Sequence, residues 1–175
     1  MGRAQIEAAI RAAFAGVALG GGTSLRQTAL LDASDEEVAQ EELDAVRAGE
    51  VTDDWTQVPG AELTAGALAQ LDADGLRYYV PALLLWLLRH YDDAAERAAD
   101  EAVGLTVIGT LGSIAPSELF ADELYEVYDG FTPGQQAAIA AYLEALPTLV
   151  RLDESDAERV AIAMDEYWGQ YLPGG

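Results

Sequence analysis

The stretch Leu76 to Tyr91, LRYYVPALLLWLLRHY, limits the fold more than any other part of the chain. Leu76, Tyr79, Val80, Leu83, Leu84, Leu87, Leu88 and Tyr91 fall at the i, i+3, i+4, i+7 spacing of one helix face. Tyr78, Ala82, Leu85 and Trp86 make the reverse side apolar too. A helix that is apolar nearly all round has to be enclosed. A bilayer is a poor enclosure, because the uncharged run from Tyr78 to Leu88 is well short of the roughly 20 residues a spanning helix needs. Protein must then surround it. The expected fold is all-α: a single domain over 1–175, a bundle of about seven or eight helices around a central apolar helix at 76–91. Pro81 lies inside that helix. It lacks an N–H and its ring crowds the Arg77 carbonyl, which predicts a kink or a fresh helix start near Val80. Asp72 and Asp74 suit the helix start, and Arg89 and His90 suit its end.

The chain has 175 residues, enough for one domain with a sizeable core. It has no cysteine, which removes disulfides, thiolate metal sites and a cysteine nucleophile. The opening MGRAQIEAAIRAAF carries Glu7 and Arg11 where a secretion signal needs an apolar run, so the expected compartment is the cytoplasm. Thirty-one acids face nine basic residues, all arginine, for a net charge of −22. Direct nucleic-acid binding needs a basic patch, and none is visible. Two explanations of the charge remain. Either an acidic surface meets a basic protein, or a GC-rich or high-salt host sets the composition.

Ile6, Ile10, Ala13, Phe14 and Val17 mark a first amphipathic helix, ended by the glycines at 20–22. Residues 23–33 carry no decisive signal. Ser34 and Glu37 have capping-box spacing, which predicts a helix from there to about Ala48 with Gly49 just past its end. Trp55 is expected to pin a loop into the core, and Glu62 to Leu71 to form a short helix. The run from Ala94 begins helical, but Gly104, Gly109 and Gly112 weaken it. Val103 to Ile108 would suit a strand, yet a lone strand has nothing to pair with, so helix is preferred. After Pro116, Phe120, Leu124, Val127 and Tyr128 mark a helix to Asp129. Thr132, Pro133 and Gln135 read as N-cap, N1 and N3 of the next helix, with Ile139, Tyr142, Leu143 and Leu146 on its buried face and Pro147 following it. A last helix starts near Asp153 to Asp156 and uses Ala157, Val160, Ala161, Met164 and Trp168. The tail from Tyr171 is expected to be loose.

LDADGLRYYVPALLLWLLRHY is similar to the pattern of a bacterial family of uncharacterised function, which has a turn, a short acidic helix start, then (F/L)-R-x-Y-(L/V)-P-A-x-L. Ile6 to Phe14, the acidic opening at Asp35 followed by Trp55, the FTPxQ helix start running from Phe131 to Leu143, and Tyr167-Trp168 fit the same family. The glycine-rich run after Gly104 does not match. The resemblance implies an all-helical fold and brings no activity. Small acidic bacterial proteins of this type are associated with immunity or accessory roles.

Catalytic chemistry is sparse. One histidine, no cysteine and no lysine leave few nucleophile–base pairs. Gly20 to Ser24 is glycine-rich but lacks the lysine and the preceding strand of a phosphate loop. His90, Asp92 and Asp93 are metal-ligand types. The simpler reading makes His90 a partner of the helix dipole and pairs Asp93 with Arg89 or Arg97. No catalytic residue, cofactor or metal site is therefore assigned. The expected role is a non-enzymatic, acidic helical binding protein of immunity, inhibitor or nucleic-acid-mimic type that docks a basic protein. The alternative is a housekeeping helical protein whose acidity reflects its host. The docking residues are expected to be Asp35, Glu36, Glu37, Glu41, Glu42 and Asp44, because Asp32 to Asp54 holds ten acids against one arginine, Arg47. Asp92 to Glu101 is the alternative cluster. A docking surface should concentrate acids on one face, whereas host adaptation should spread them.

Overall fold

The computed structural model describes residues 1–35 and 37–174. Ten α-helices and no strand occur among the described residues, and eight of the helices have seven residues or more. In order they are α1 (Arg3–Ala13), α2 (Leu25–Ala33), α3 (Gln40–Arg47), α4 (Gly60–Leu63), α5 (Ala73–His90), α6 (Ala94–Ala99), α7 (Glu101–Ile114), α8 (Ala121–Asp129), α9 (Pro133–Leu149) and α10 (Glu154–Glu166). Among these residues no helix is long and apolar enough to cross a membrane.

The centre is α5, as its sequence requires. Every residue from Tyr78 to Leu88 is buried. The Asp72 carboxylate caps the helix by accepting from the Gly75 N–H at 2.7 Å. It also accepts from the Thr23 hydroxyl at 2.9 Å, which ties the loop before α2 to the same point. α5 runs unbroken through Pro81 instead of restarting near Val80. The enclosure explains the tolerance. Tyr78, Tyr79 and Trp86 around the proline are all buried, and the Tyr142 hydroxyl of α9 donates to the Leu84 carbonyl at 3.0 Å. Packing on every side of the proline keeps the helix continuous.

Around α5, α1 lies on α9, α2 on α3, and α7 on both α5 and α6. Two tryptophans close helix ends. The Trp55 indole donates to the Phe14 carbonyl at 2.8 Å, just past α1. The Trp168 indole donates to the Ile114 carbonyl at 2.6 Å, the last residue of α7. Both satisfy carbonyls that a helix end leaves without a partner. Trp168 begins a 3-10 turn, Trp168–Tyr171, packed on α9 and α10. Of the tail expected to be loose, Tyr171 is tied down there, its hydroxyl 3.2 Å from an Asp129 oxygen, while Pro173 and Gly174 are exposed and Gly175 lies outside the described residues.

Several boundaries differ from expectation. Within the stretch 23–33, Leu25–Ala33 form α2, because Ser24 and Gln27 make the reciprocal capping box. The expected helix over Glu62 to Leu71 splits into α4 and a 3-10 turn, Leu68–Gln70. Pro147 lies inside α9, which continues to Leu149. The glycine-rich run is helical, in two pieces that meet at Asp100. Its glycines sit where neighbours come close: a Cβ on Gly104 would lie 3.3 Å from the Arg97 carbonyl, and one on Gly109 would lie 3.1 Å from Leu68 Cδ1.

Candidate functional site

The acid-rich stretch starts from a helix end. The Ser34 hydroxyl donates back to the Leu30 carbonyl at 2.7 Å, which closes α2. The helix expected to begin at Ser34 therefore does not form there. α3 starts at Gln40 behind Ala39, with no side-chain cap. Asp35 and Glu37 lie exposed in the connection, and Glu36 lies outside the described residues. Glu41 and Glu42 are exposed in the first turn of α3, where negative charge suits the helix dipole. Asp44 is exposed and accepts from the Gln40 side-chain amide at 2.8 Å.

None of Asp35, Glu37, Glu41, Glu42 or Asp44 joins an ion pair among the described residues. The reason is the geometry of Arg47. Its guanidinium turns away from the acids and donates to the carbonyls of Gly22, at 2.8 Å, and Gly20. The only cation of the stretch thus fastens the glycine loop. Beside Asp44 a polar hollow of about 360 Å³ opens between that loop, α2 and α3, lined among others by Thr23, Gln27, Gln40 and Arg47. The Gln27 side-chain amide donates to the Leu43 carbonyl at 3.1 Å and holds α3 against α2. α3 buries no residue fully.

A second acidic group lies inside the fold and escaped the sequence reading. Glu50 accepts from the Arg26 backbone N–H at 3.3 Å, in the first turn of α2. Glu62 of α4 pairs with the Arg26 guanidinium at 3.1 Å. Glu50 Oε2, Glu62 Oε1 and the Tyr79 hydroxyl are buried and lack hydrogen-bond partners. Burial raises the Glu62 carboxyl above its ordinary range, and Glu50 adds to the rise; Arg26 opposes it. Nothing in the local sequence signals this, because Glu50 and Glu62 meet Arg26 only through the tertiary fold.

The alternative cluster is mostly structural. Asp93 accepts from the Glu96 N–H at 2.8 Å and caps α6, in place of the expected pairing with Arg89 or Arg97. Asp100 likewise caps α7, accepting from the Ala102 N–H. His90 stacks on Trp86 at 4.3 Å with Nδ1 2.8 Å from Glu96 Oε2. No three His, Cys, Asp or Glu side chains come together as a metal site among the described residues.

A family model described as a family of unknown function, DUF6714, matches residues 2–172. The chain belongs to this family. No curated protein and no solved structure matches the chain.

Proposed function

We propose that the chain is a non-enzymatic, acidic helical binding protein of the cytoplasm, of immunity or inhibitor type, that docks a basic protein through the exposed Asp35, Glu37, Glu41, Glu42 and Asp44. One observation carries the reading. Arg47, the single cation within Asp32 to Asp54, is committed to the carbonyls of Gly20 and Gly22, so the acids on and before α3 stay uncompensated. Acids elsewhere cap helices, as Asp72, Asp93, Asp100 and Asp153 do. Glu37, Glu41 and Glu42 have no such job. An uncompensated field of this kind steers a basic partner and raises its on-rate more than its final affinity.

The test replaces Glu37, Glu41 and Glu42 with Gln and Asp44 with Asn. Association is then timed against a basic protein encoded beside this one, at low and high salt. Slower association with a shallower salt dependence is expected. Unchanged kinetics would remove this site. A second reading draws on the spread of charge: Asp74, Glu101, Asp122, Glu144, Glu154 and Asp165 are exposed on five further helices. That spread suits a housekeeping protein adapted to its host. It predicts that salt raises the melting temperature while no basic partner is found.

A further inference from the structure

α7 is apolar on nearly every side, and only part of it is covered. Val103, Val107, Leu111 and Ile114 are buried. On the outer face Leu105 is 60 % exposed and Ile108 is 62 % exposed. In the connection to α8, Leu119 is 86 % exposed and Phe120 is 58 % exposed. Ile108 and Phe120 line a groove of about 590 Å³, with Leu68, Gly109, Leu124 and Val127 forming more of its wall. Exposed apolar side chains occur singly on any protein, but two of them, Ile108 and Phe120, in the wall of one apolar groove mark an interaction surface.

The charge around the groove says what kind of partner fits. Glu123 lines it. Glu118, Asp122 and Glu126 are exposed on the same segment. Arg159 is the one basic residue in the lining, and it is engaged, donating to the Ala115 carbonyl at 2.9 Å with Asp156 at 3.8 Å. A second copy of the chain would bring another net −22 against these acids, so self-association is opposed. No strand occurs among the described residues, so there is no sheet edge for an extended peptide to join. A helix laid into an apolar groove between helices needs no sheet edge, and it is the mode of peptide recognition that an apolar groove with an acidic rim suits. Gly109 and Gly112 line the groove and carry no side chain to fill it.

We infer that the α7–α8 groove is a docking site for an amphipathic helix of a partner protein, with an apolar stripe that seats against Ile108 and Phe120 and with Lys or Arg flanks that meet Glu118, Asp122, Glu123 and Glu126. The basic flanks rest on the reading proposed above; the apolar stripe does not. The two surfaces use different residues. The acids on and before α3 steer, and the groove anchors.

Two synthetic helical peptides of about 18 residues serve as probes. Both carry leucines at i, i+3, i+4 and i+7. One has Lys and Arg on its polar face and the other has Glu. Fluorescence anisotropy at about 0.15 M salt reads their binding. The basic peptide is expected to bind, and the acidic one to bind at least about tenfold more weakly. Ile108→Ser with Phe120→Ser should weaken the basic peptide by about tenfold or more, while melting close to the parent because both side chains are exposed. A second variant, Glu123→Gln with Glu126→Gln, keeps the apolar wall and should weaken binding less, with a shallower salt dependence. The Gln/Asn variant of Glu37, Glu41, Glu42 and Asp44 should slow association and leave dissociation unchanged, so the α3 reading and this one fail separately. Basic-peptide binding that survives Ile108→Ser with Phe120→Ser would overturn the groove as the anchor. So would equal binding of the acidic peptide, binding of neither, or a parent dimer in sedimentation equilibrium that the same double variant abolishes.

Discussion

α5 and α7 resemble each other in composition and differ in what surrounds them. Both are apolar on nearly every side. α5 is enclosed from Tyr78 to Leu88, with α7, α4 and α1 against it and a hydrogen bond from α9. α7 lies on α5 and α6 and leaves Leu105 and Ile108 in the open. The rule that an all-round apolar helix must be covered is satisfied for α5 inside the chain. For α7 the chain supplies half of the cover. Apolar sequence therefore states a demand for enclosure, and it does not state which molecule meets it.

The sharpest way to break this comparison is to delete packing from each helix. Leu84→Ala in α5 should cost about 2–5 kcal/mol, because the side chain is fully buried and leaves a cavity. Urea unfolding checks it, and a loss below about 1 kcal/mol would mean that α5 is not the centre of the core.

The groove wall of α7 tests the next level. A Cβ on Gly109 would lie 3.1 Å from Leu68 Cδ1, so Gly109→Val should cost about 1–3 kcal/mol through overpacking. Gly112→Ala meets only Arg159 Nη2 at 3.5 Å and should gain up to about 1 kcal/mol from helix propensity. Equal effects at the two glycines would show that Leu68 does not press on α7.

Charge extends the comparison, since the buried Glu62 packs near α5 while Glu123 lines the open groove. Folded Glu62 holds its proton more tightly than the unfolded chain does, because burial raises its pKa from the ordinary 4.5. Its contribution to stability is therefore complete below that ordinary value and is lost as pH rises through the raised one. Glu62→Gln, which can still accept from Arg26, should melt at or above the parent temperature at neutral pH. The variant should also gain less than the parent on mild acidification. Glu123→Gln should leave that pH profile unchanged. Thermal melts at about pH 5 and pH 7 decide it, and a Glu62→Gln variant that melts lower at both would make the ion pair with Arg26 the dominant effect.

The smallest effect is expected on the outer face of α7. Ile108→Ser should change stability by no more than about 0.5 kcal/mol, since the side chain is 62 % exposed. A larger loss in urea would mean that α7 is covered within the chain and that its groove has no need of a partner.

The sequence revealed α5, the Thr132–Gln135 start of α9 and the burial of Trp55 because each depends on local spacing or on one decisive residue type. Pro81 misled because a proline's cost is local while its tolerance is tertiary. Ser34 misled for a different reason. Its spacing to Glu37 suits a capping box, but its hydroxyl found the Leu30 carbonyl behind it first. The box that does form, Ser24 with Gln27, has the same spacing and lay in a stretch read as carrying no decisive signal. At the candidate site the density of acids on and before α3 was readable. The retreat of Arg47 to Gly20 and Gly22 was not, because it joins residues 25 and 27 positions apart. The groove was the least legible. Phe120, expected on a buried helix face, is exposed, and its neighbours come from distant parts of the chain.

The packing of α1 on α9 has a consequence for how the protein is made. α1 ends at Ala13 and its largest packing partner, α9, begins at Pro133, so most of the chain must emerge from the ribosome before the burial of Ile6, Ile10 and Phe14 is complete. Contacts this distant in sequence slow folding. They also leave an apolar helix face open on the nascent chain, the kind of surface that chaperones hold and that aggregation exploits. Synthesis that stalls before α9 would release a chain with its earliest helix uncovered. Pulse-labelling of nascent chains halted on either side of Pro133 would show protease resistance appearing only after α9 is complete.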